Sequence, residues 1–180
     1  MSRFTLRPDL EVRDFTPEDE TGVQALLAAD EDYFVAATGS PSAPGDVQSL
    51  FYSLPEGADL DAKRLLVVVC GGLVIGLVDV VLDYPEPSAA AVGLFFVHPD
   101  HRRQGVGDAV AGALINYARE SQIHLVTTTT PLEWAPGRAF LEHLDFTVEA
   151  PEQARHQTSN RNLGPFEPPV LRAQMHLQQN

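Results

Sequence analysis

Cysteine and lysine are nearly absent from this chain. Cys70 is the one cysteine among 180 residues, so an intrachain disulfide and a cysteine-based metal cluster are both excluded. Lys63 is the one lysine, and every other basic residue is an arginine. No run approaches the roughly 18 consecutive apolar residues of a membrane span. The first residues, Met1 to Pro8, lack the apolar stretch of a secretory signal. These absences predict a cytoplasmic protein that does not engage a membrane. Positive charge is also short: 12 basic residues face 25 acidic ones, a net charge of −13. Such a field repels a phosphate backbone, so broad nucleic-acid binding is not expected. The deficit is uneven, −11 over residues 1–90 and −2 over residues 91–180. A polyanion is better tolerated by the second half, and a cation is drawn to the first. Much of this charge serves solubility in any case.

Hydrophobic residues make up 44% of the chain, enough for a packed core. The pattern predicts a strand at Leu10–Phe15 and a helix opening at Thr16-Pro17-Glu18-Asp19, where Thr16 can cap and Pro17 suits the first helical position. That helix is expected to run to about Thr38, and a second helix to cover Asp46–Leu54. Two β-rich runs, Arg64–Cys70 and Leu73–Leu82, flank Gly71-Gly72, a strong hairpin signal. Both are apolar without clean alternation, which predicts a sheet covered on both faces. A strand at Ala90–Val97, a helix from Val106, a strand at Ile123–Thr129, a short helix at Pro136–Leu144 and a closing pair at Phe146–Val148 and Val170–Leu177 follow. The segment between the last two reads as a loop. The order predicts an α/β (α+β) fold, with a mixed sheet and helices on its faces.

The segment that carries chemistry is Leu94 to Asp108. A hydrophobic strand leads into His98-Pro99-Asp100-His101-Arg102-Arg103-Gln104-Gly105-Val106-Gly107, and this into an amphipathic helix. Glycines let backbone N–H groups approach an anion, and the helix N-terminus adds unpaired donors and the positive end of its dipole. The construction suits a pyrophosphate. It is not a P-loop, which needs Gly-Lys-Ser/Thr, and it lacks the third glycine of a dinucleotide fingerprint. Val97-x-Pro99-x-x-Arg102-x-x-Gly105-x-Gly107 instead resembles the acetyl-CoA signature of the GNAT superfamily of N-acetyltransferases. The resemblance covers residues 10–178 as one domain and leaves 1–9 as an N-terminal extension.

The resemblance implies a central, mostly antiparallel mixed sheet in which the strands at 90–97 and 123–129 splay apart to admit acetyl-CoA. Backbone N–H groups from Arg103 through Gln104, Gly105, Val106 and Gly107 would cradle the pyrophosphate, with Arg102 at the first motif position. The backbone of Phe95 and Val97 would pair with the pantetheine arm, and an N–H near Val97 would polarise the thioester carbonyl. The acceptor would be an amine of a small molecule or peptide, attacking directly. The helical region before the sheet would form the acceptor wall, with Tyr33 and Tyr52 as candidate substrate contacts near Asp30, Glu31 and Asp32. No metal is implied: His98 and His101 lie three apart, but in a loop without a third ligand. Homodimers are common in the family.

The sequence departs from the family in its proton-transfer residues. A glutamate often serves as base on the strand before the signature, and the corresponding positions here are Ala91 and Gly93. The acid is often a tyrosine on the last helix, where this chain has Leu141, and the asparagine usual upstream is Trp134. Asp79 is the candidate base, because it interrupts the apolar run Leu73–Leu82. A charge there must be paired or lie at a cavity. The departures leave two alternatives beside acetyl transfer: a non-catalytic module that binds acyl-CoA, and an acyltransferase that uses another acyl-CoA donor.

Overall fold

The computed structural model describes residues 4–152 and 168–178. Eight strands form one sheet: β1 (Phe4–Arg7), β2 (Leu10–Asp14), β3 (Lys63–Cys70), β4 (Leu73–Leu82), β5 (Ala89–Val97), β6 (Leu125–Pro131), β7 (Thr147–Val148) and β8 (Val170–His176). Their spatial order is β1-β2-β3-β4-β5-β6-β8-β7. Every pairing is antiparallel except β5 with β6. The sheet is therefore mixed and mostly antiparallel, as expected. The hairpin between β3 and β4 turns on Gly71 and Gly72, both at positive φ (55° and 84°), the backbone that a two-residue turn between twisted strands requires.

Phe4–Arg7, within the stretch expected as an N-terminal extension, pairs with β2 as the edge strand of the sheet. The first helical stretch, expected as one helix, is two, α1 (Glu20–Ala28) and α2 (Glu31–Thr38). Asp30 divides them: its carboxylate accepts from the Tyr33 backbone N–H at 3.0 Å and starts a new helix. Helix α3 (Asp46–Tyr52) follows. Most of the expected loop before β8, residues 153–167, lies outside the described residues.

Both faces of the sheet are covered, which explains the unbroken apolar runs of β3 and β4. On one face, Leu66, Val68 and Val78 pack against Val106 and Val110 of α4 (Val106–Glu120). On the other, Val67, Val69 and Leu77 pack against Val23, Leu26 and Leu27 of α1 and Phe34 of α2. A bulge in β5 joins the two cores. Asp79 opposes Leu94 and Val80 opposes Val92, which leaves Gly93 as the extra residue. The side-chain phase shifts by one there. Ala90 and Val92 line the α4 side before the bulge, and Phe95 and Val97 line it afterwards. Leu94 and Phe96 consequently face the α1–α2 core.

Candidate functional site

Strand β5 pairs with β6 only from Ala89 to Val92, opposite Leu125 to Thr128. Beyond that point β6 continues with β8 alone, so the strands fork as the resemblance implied. At the fork the Thr128 hydroxyl donates to the Val92 carbonyl at 2.9 Å, standing in for the next ladder bond. Among the described residues, no strand lies on the β6 side of the β5 segment from Gly93 to Val97. Helix α5 (Ala135–His143) lies across the opening, and Gly137 allows it to come close, since a Cβ there would strike the Thr130 hydroxyl. A cleft of about 470 Å³ results, lined by Phe95, Val97, Arg103, Gly105, Gly107 and Phe140 among others.

The glycine loop closes one end of this cleft. Gly105 is the N-cap of α4 and has φ 72°, where a side chain is disfavoured. Its carbonyl accepts the first helical bond, from Ala109 N at 3.1 Å, so the first-turn N–H groups at 106–108 have no helical partner. Gly107 serves packing as well: a Cβ there would lie 3.1 Å from the Phe140 ring. The cradle and the adjoining slot fit the pyrophosphate and extended arm of a coenzyme A thioester.

The two arginines of the motif separate. Arg102 turns inward. Its Nε donates to the Val97 carbonyl at 2.8 Å, and its Nη2 lies 2.6 Å from Asp30 Oδ2. Its guanidinium also sits over the rings of Phe96 and Trp134, 5.2 and 5.9 Å from their centroids. Arg102 thus ties the loop to α2 and α5, and it occupies the carbonyl of Val97, whose backbone the family resemblance implies for the pantetheine arm. Arg103 is exposed, has φ 59°, and makes no ion pair among the described residues. It is the arginine of the pair that is available to a phosphate. The Gln104 side chain donates to the Asp100 carbonyl at 2.6 Å, which braces the loop. Arg7, on β1, donates to the Gly105 carbonyl at 2.9 Å. Only the pairing of β1 brings it there, so no local signal could have found it.

Tyr33 lines the cleft, with its ring among Phe34, Phe96 and Trp134. Burial pushes its hydroxyl up to about 12, with Arg102 pulling weakly the other way. Tyr52, the second acceptor candidate, is 77% exposed and lines neither this cleft nor the cavity behind it. Trp134, read only as a departure from the family pattern, is part of the aromatic wall.

Asp79 does not stand free as a base. Its carboxylate lies at the β5 bulge, where a Cβ on Gly93 would come 3.2 Å from Oδ2. Both of its oxygens accept from Lys63 Nζ, at 2.8 and 2.7 Å, and the same ammonium donates to the Ser53 carbonyl at 2.7 Å. Both side chains are buried. Burial raises the Asp79 carboxyl above its ordinary value, against the opposing pull of Lys63. Ala91 and Gly93 bring no titratable group, and Leu141 faces an apolar cavity behind the cleft.

The comparisons with known proteins agree with this fold. The family described as "Acetyltransferase (GNAT) family" matches residues 14–146. An acetyltransferase from Thermus thermophilus superposes with a TM-score of 0.68 at 20% identity, over 94% of this chain and 97% of that one. An acetyl transferase from Salmonella typhimurium, described as modifying the N-terminal serine of 50S ribosomal subunit protein L7/L12, gives a TM-score of 0.73 at 16% identity, over 98% and 100%. A ribosomal L7/L12 alpha-N-protein acetyltransferase in complex with coenzyme A gives 0.70 at 14% identity, over 99% and 100%. No curated protein sequence matches the chain. No helix among the described residues is long and apolar enough to cross a membrane.

Proposed function

Since the chain belongs to the acetyltransferase (GNAT) family, we propose that it moves an acyl group, acetyl in the simplest case, from a coenzyme A thioester to an amine nitrogen. One observation carries this reading. The free segment of β5, the positive-φ Gly105 and the unpartnered N-terminus of α4 all face one cleft. The loop N–H groups at 103–107 and the exposed Arg103 hold the pyrophosphate. The free β5 backbone between Gly93 and Val97 takes the pantetheine arm as an added strand. This places the thioester near the bulge, between the Tyr33–Trp134 wall and Phe140.

The amine approaches from the α2 side, where Glu31 and Asp32 are exposed. An alkyl amine must lose a proton before it attacks. Asp79 is held by Lys63, so that proton passes to water in the cleft. The nitrogen lone pair forms the new C–N bond, the C–S bond breaks, and its electron pair stays on sulfur. Tyr33 keeps its proton at working pH and donates a hydrogen bond to the departing sulfur. It does from α2 what Leu141, on α5, has no group to do.

The test is release of coenzyme A thiol from acetyl-CoA against a panel of basic, neutral and acidic amines at low salt. Turnover is expected, fastest with basic or neutral amines, because the first half of the chain carries −11. Binding of coenzyme A without thiol release on any amine would make this chain a binding module instead.

A further inference from the structure

Behind the cofactor cleft lies a second cavity, of about 160 Å³, between the sheet and helix α4. The two share Tyr33, Phe95, Trp134, Gly137 and Phe140, so they meet where the proposed function places the thioester. The second cavity then runs along β5 and α4, past Val92 and Ala111, to Ala90, Ala118 and Ile123. From Ala111 to Ala118 the helix advances about 10 Å.

Its walls are mostly apolar, and two of the polar side chains that line it are engaged elsewhere. The Thr128 hydroxyl donates to the Val92 carbonyl, and Arg64 donates to the carbonyls of Asp61 and Lys63 at 2.6 and 2.7 Å. A water needs two to four polar partners, and a cavity of this kind favours hydrocarbon; about 150 Å³ of apolar cavity accommodates a benzene ring. Small side chains keep the space open at Ala90, Ala111 and Ala118, and Gly93 has none at the mouth. Leu141, on the helix where the family resemblance places an acid, is part of the apolar wall.

We propose that this cavity receives the acyl chain of the donor, and that the preferred donor is a linear acyl-CoA of about six carbons rather than acetyl-CoA. The inference rests on the acyl-transfer reading of the cleft. It assigns the far cavity to the tail of the thioester whose head lies at the glycine loop. The transfer step is unchanged: the amine nitrogen bonds to the thioester carbon and the sulfur leaves with its electron pair, whatever the chain length.

Calorimetric titration of the full chain with coenzyme A, acetyl-CoA, butyryl-CoA and hexanoyl-CoA tests this. Each buried methylene contributes about fourfold, so hexanoyl-CoA is expected to bind at least about tenfold more tightly than acetyl-CoA. Ala118→Leu fills the far end and is expected to erase that preference while coenzyme A itself binds as before. Ala90→Leu does the same from the β5 side if Ala118→Leu does not fold. Equal affinities for acetyl-CoA and hexanoyl-CoA, with coenzyme A bound, would overturn the chain assignment and leave the acyl-transfer reading standing. A preference that survives in a folded cavity-filling variant would overturn it too, because the chain then lies elsewhere. Failure of all four ligands to bind would overturn both.

Discussion

The ammonium of Lys63 donates to both carboxylate oxygens of Asp79 in the buried interior of the sheet, 16 residues apart in sequence and on adjacent strands. The pair lies beside the β5 bulge at Gly93. Removing one partner strands a buried charge, which costs about 3–5 kcal/mol. Asp79→Asn and Lys63→Met are each expected to lose stability on that scale in urea unfolding. Turnover per folded molecule should stay within a fewfold of wild type. The double variant Lys63→Met/Asp79→Leu should be much less destabilised than the sum of the two. A stable Asp79→Asn protein with turnover down by about 100-fold would return the carboxylate to the chemistry.

Acid should act on stability through Asp19. Its carboxylate takes two bonds from Arg13, at 2.6 and 2.7 Å, and a third from the Thr16 backbone N–H. The Arg13 bonds, first among the causes, hold it below its ordinary 3.8. A depressed folded value means that the unfolded chain binds the proton more readily. The stabilisation is then complete above the unfolded value and is lost as pH falls through the folded one. Asp79 acts in the opposite sense: its carboxyl is raised, so its contribution declines as pH climbs from 3.8 through the folded value. Unfolding free energy measured from pH 2 to 6 should show the acid-side loss, and Asp19→Asn should flatten it.

Coenzyme A should raise the melting temperature. A ligand at 100 times its Kd stabilises by about 2.7 kcal/mol. For a chain of this size each kcal/mol is worth roughly 2–4 °C, so a shift of about 5–10 °C is expected in a thermal melt. No shift at millimolar coenzyme A would remove the cleft's assignment.

The loop residues should divide by role. Gly105→Val puts a β-branched side chain at φ 72° and into the cradle, so coenzyme A binding should be lost. Arg103→Ala should weaken binding in a salt-dependent manner, the mark of an exposed charge on a phosphate. Arg102→Ala should lower stability instead, since it breaks the contacts to Asp30 and the Val97 carbonyl. Binding and melting measured on all three variants separate these outcomes. A salt-sensitive loss of affinity at Arg102 with no loss at Arg103 would reverse the assignment.

Tyr33→Phe removes a hydrogen-bond donor and almost nothing else, because its ring contacts with Phe96 and Trp134 remain. Turnover should fall by about 10²-fold or more, with coenzyme A affinity unchanged. Steady-state kinetics beside a titration decide this. Unaltered kcat would leave the departing sulfur without help from Tyr33.

The amino-acid sequence alone determined what depends on neighbours along the chain. The Gly71-Gly72 turn, the apolar runs of β3 and β4, and the passage from strand through Gly105 to helix are local patterns of backbone freedom and hydrophobic period. They make the fold class and the glycine loop at the start of α4 legible. The division of the first helix at Asp30 was less so, because a capping side chain competes with helical continuity over a few residues. What only the tertiary structure decided are relations across strands and faces. Lys63 reaches Asp79 through the pairing of β3 with β4, which turns a candidate base into half of an ion pair. Arg7 reaches Gly105 because β1 joins the sheet edge. Arg102 turns to Asp30, and the Gly93 bulge sends Phe95 to one core and Phe96 to the other. Local propensity does not encode a cross-strand register or the direction of a long side chain. Both follow from which apolar faces must be buried together, a property of the assembled sheet and its helices.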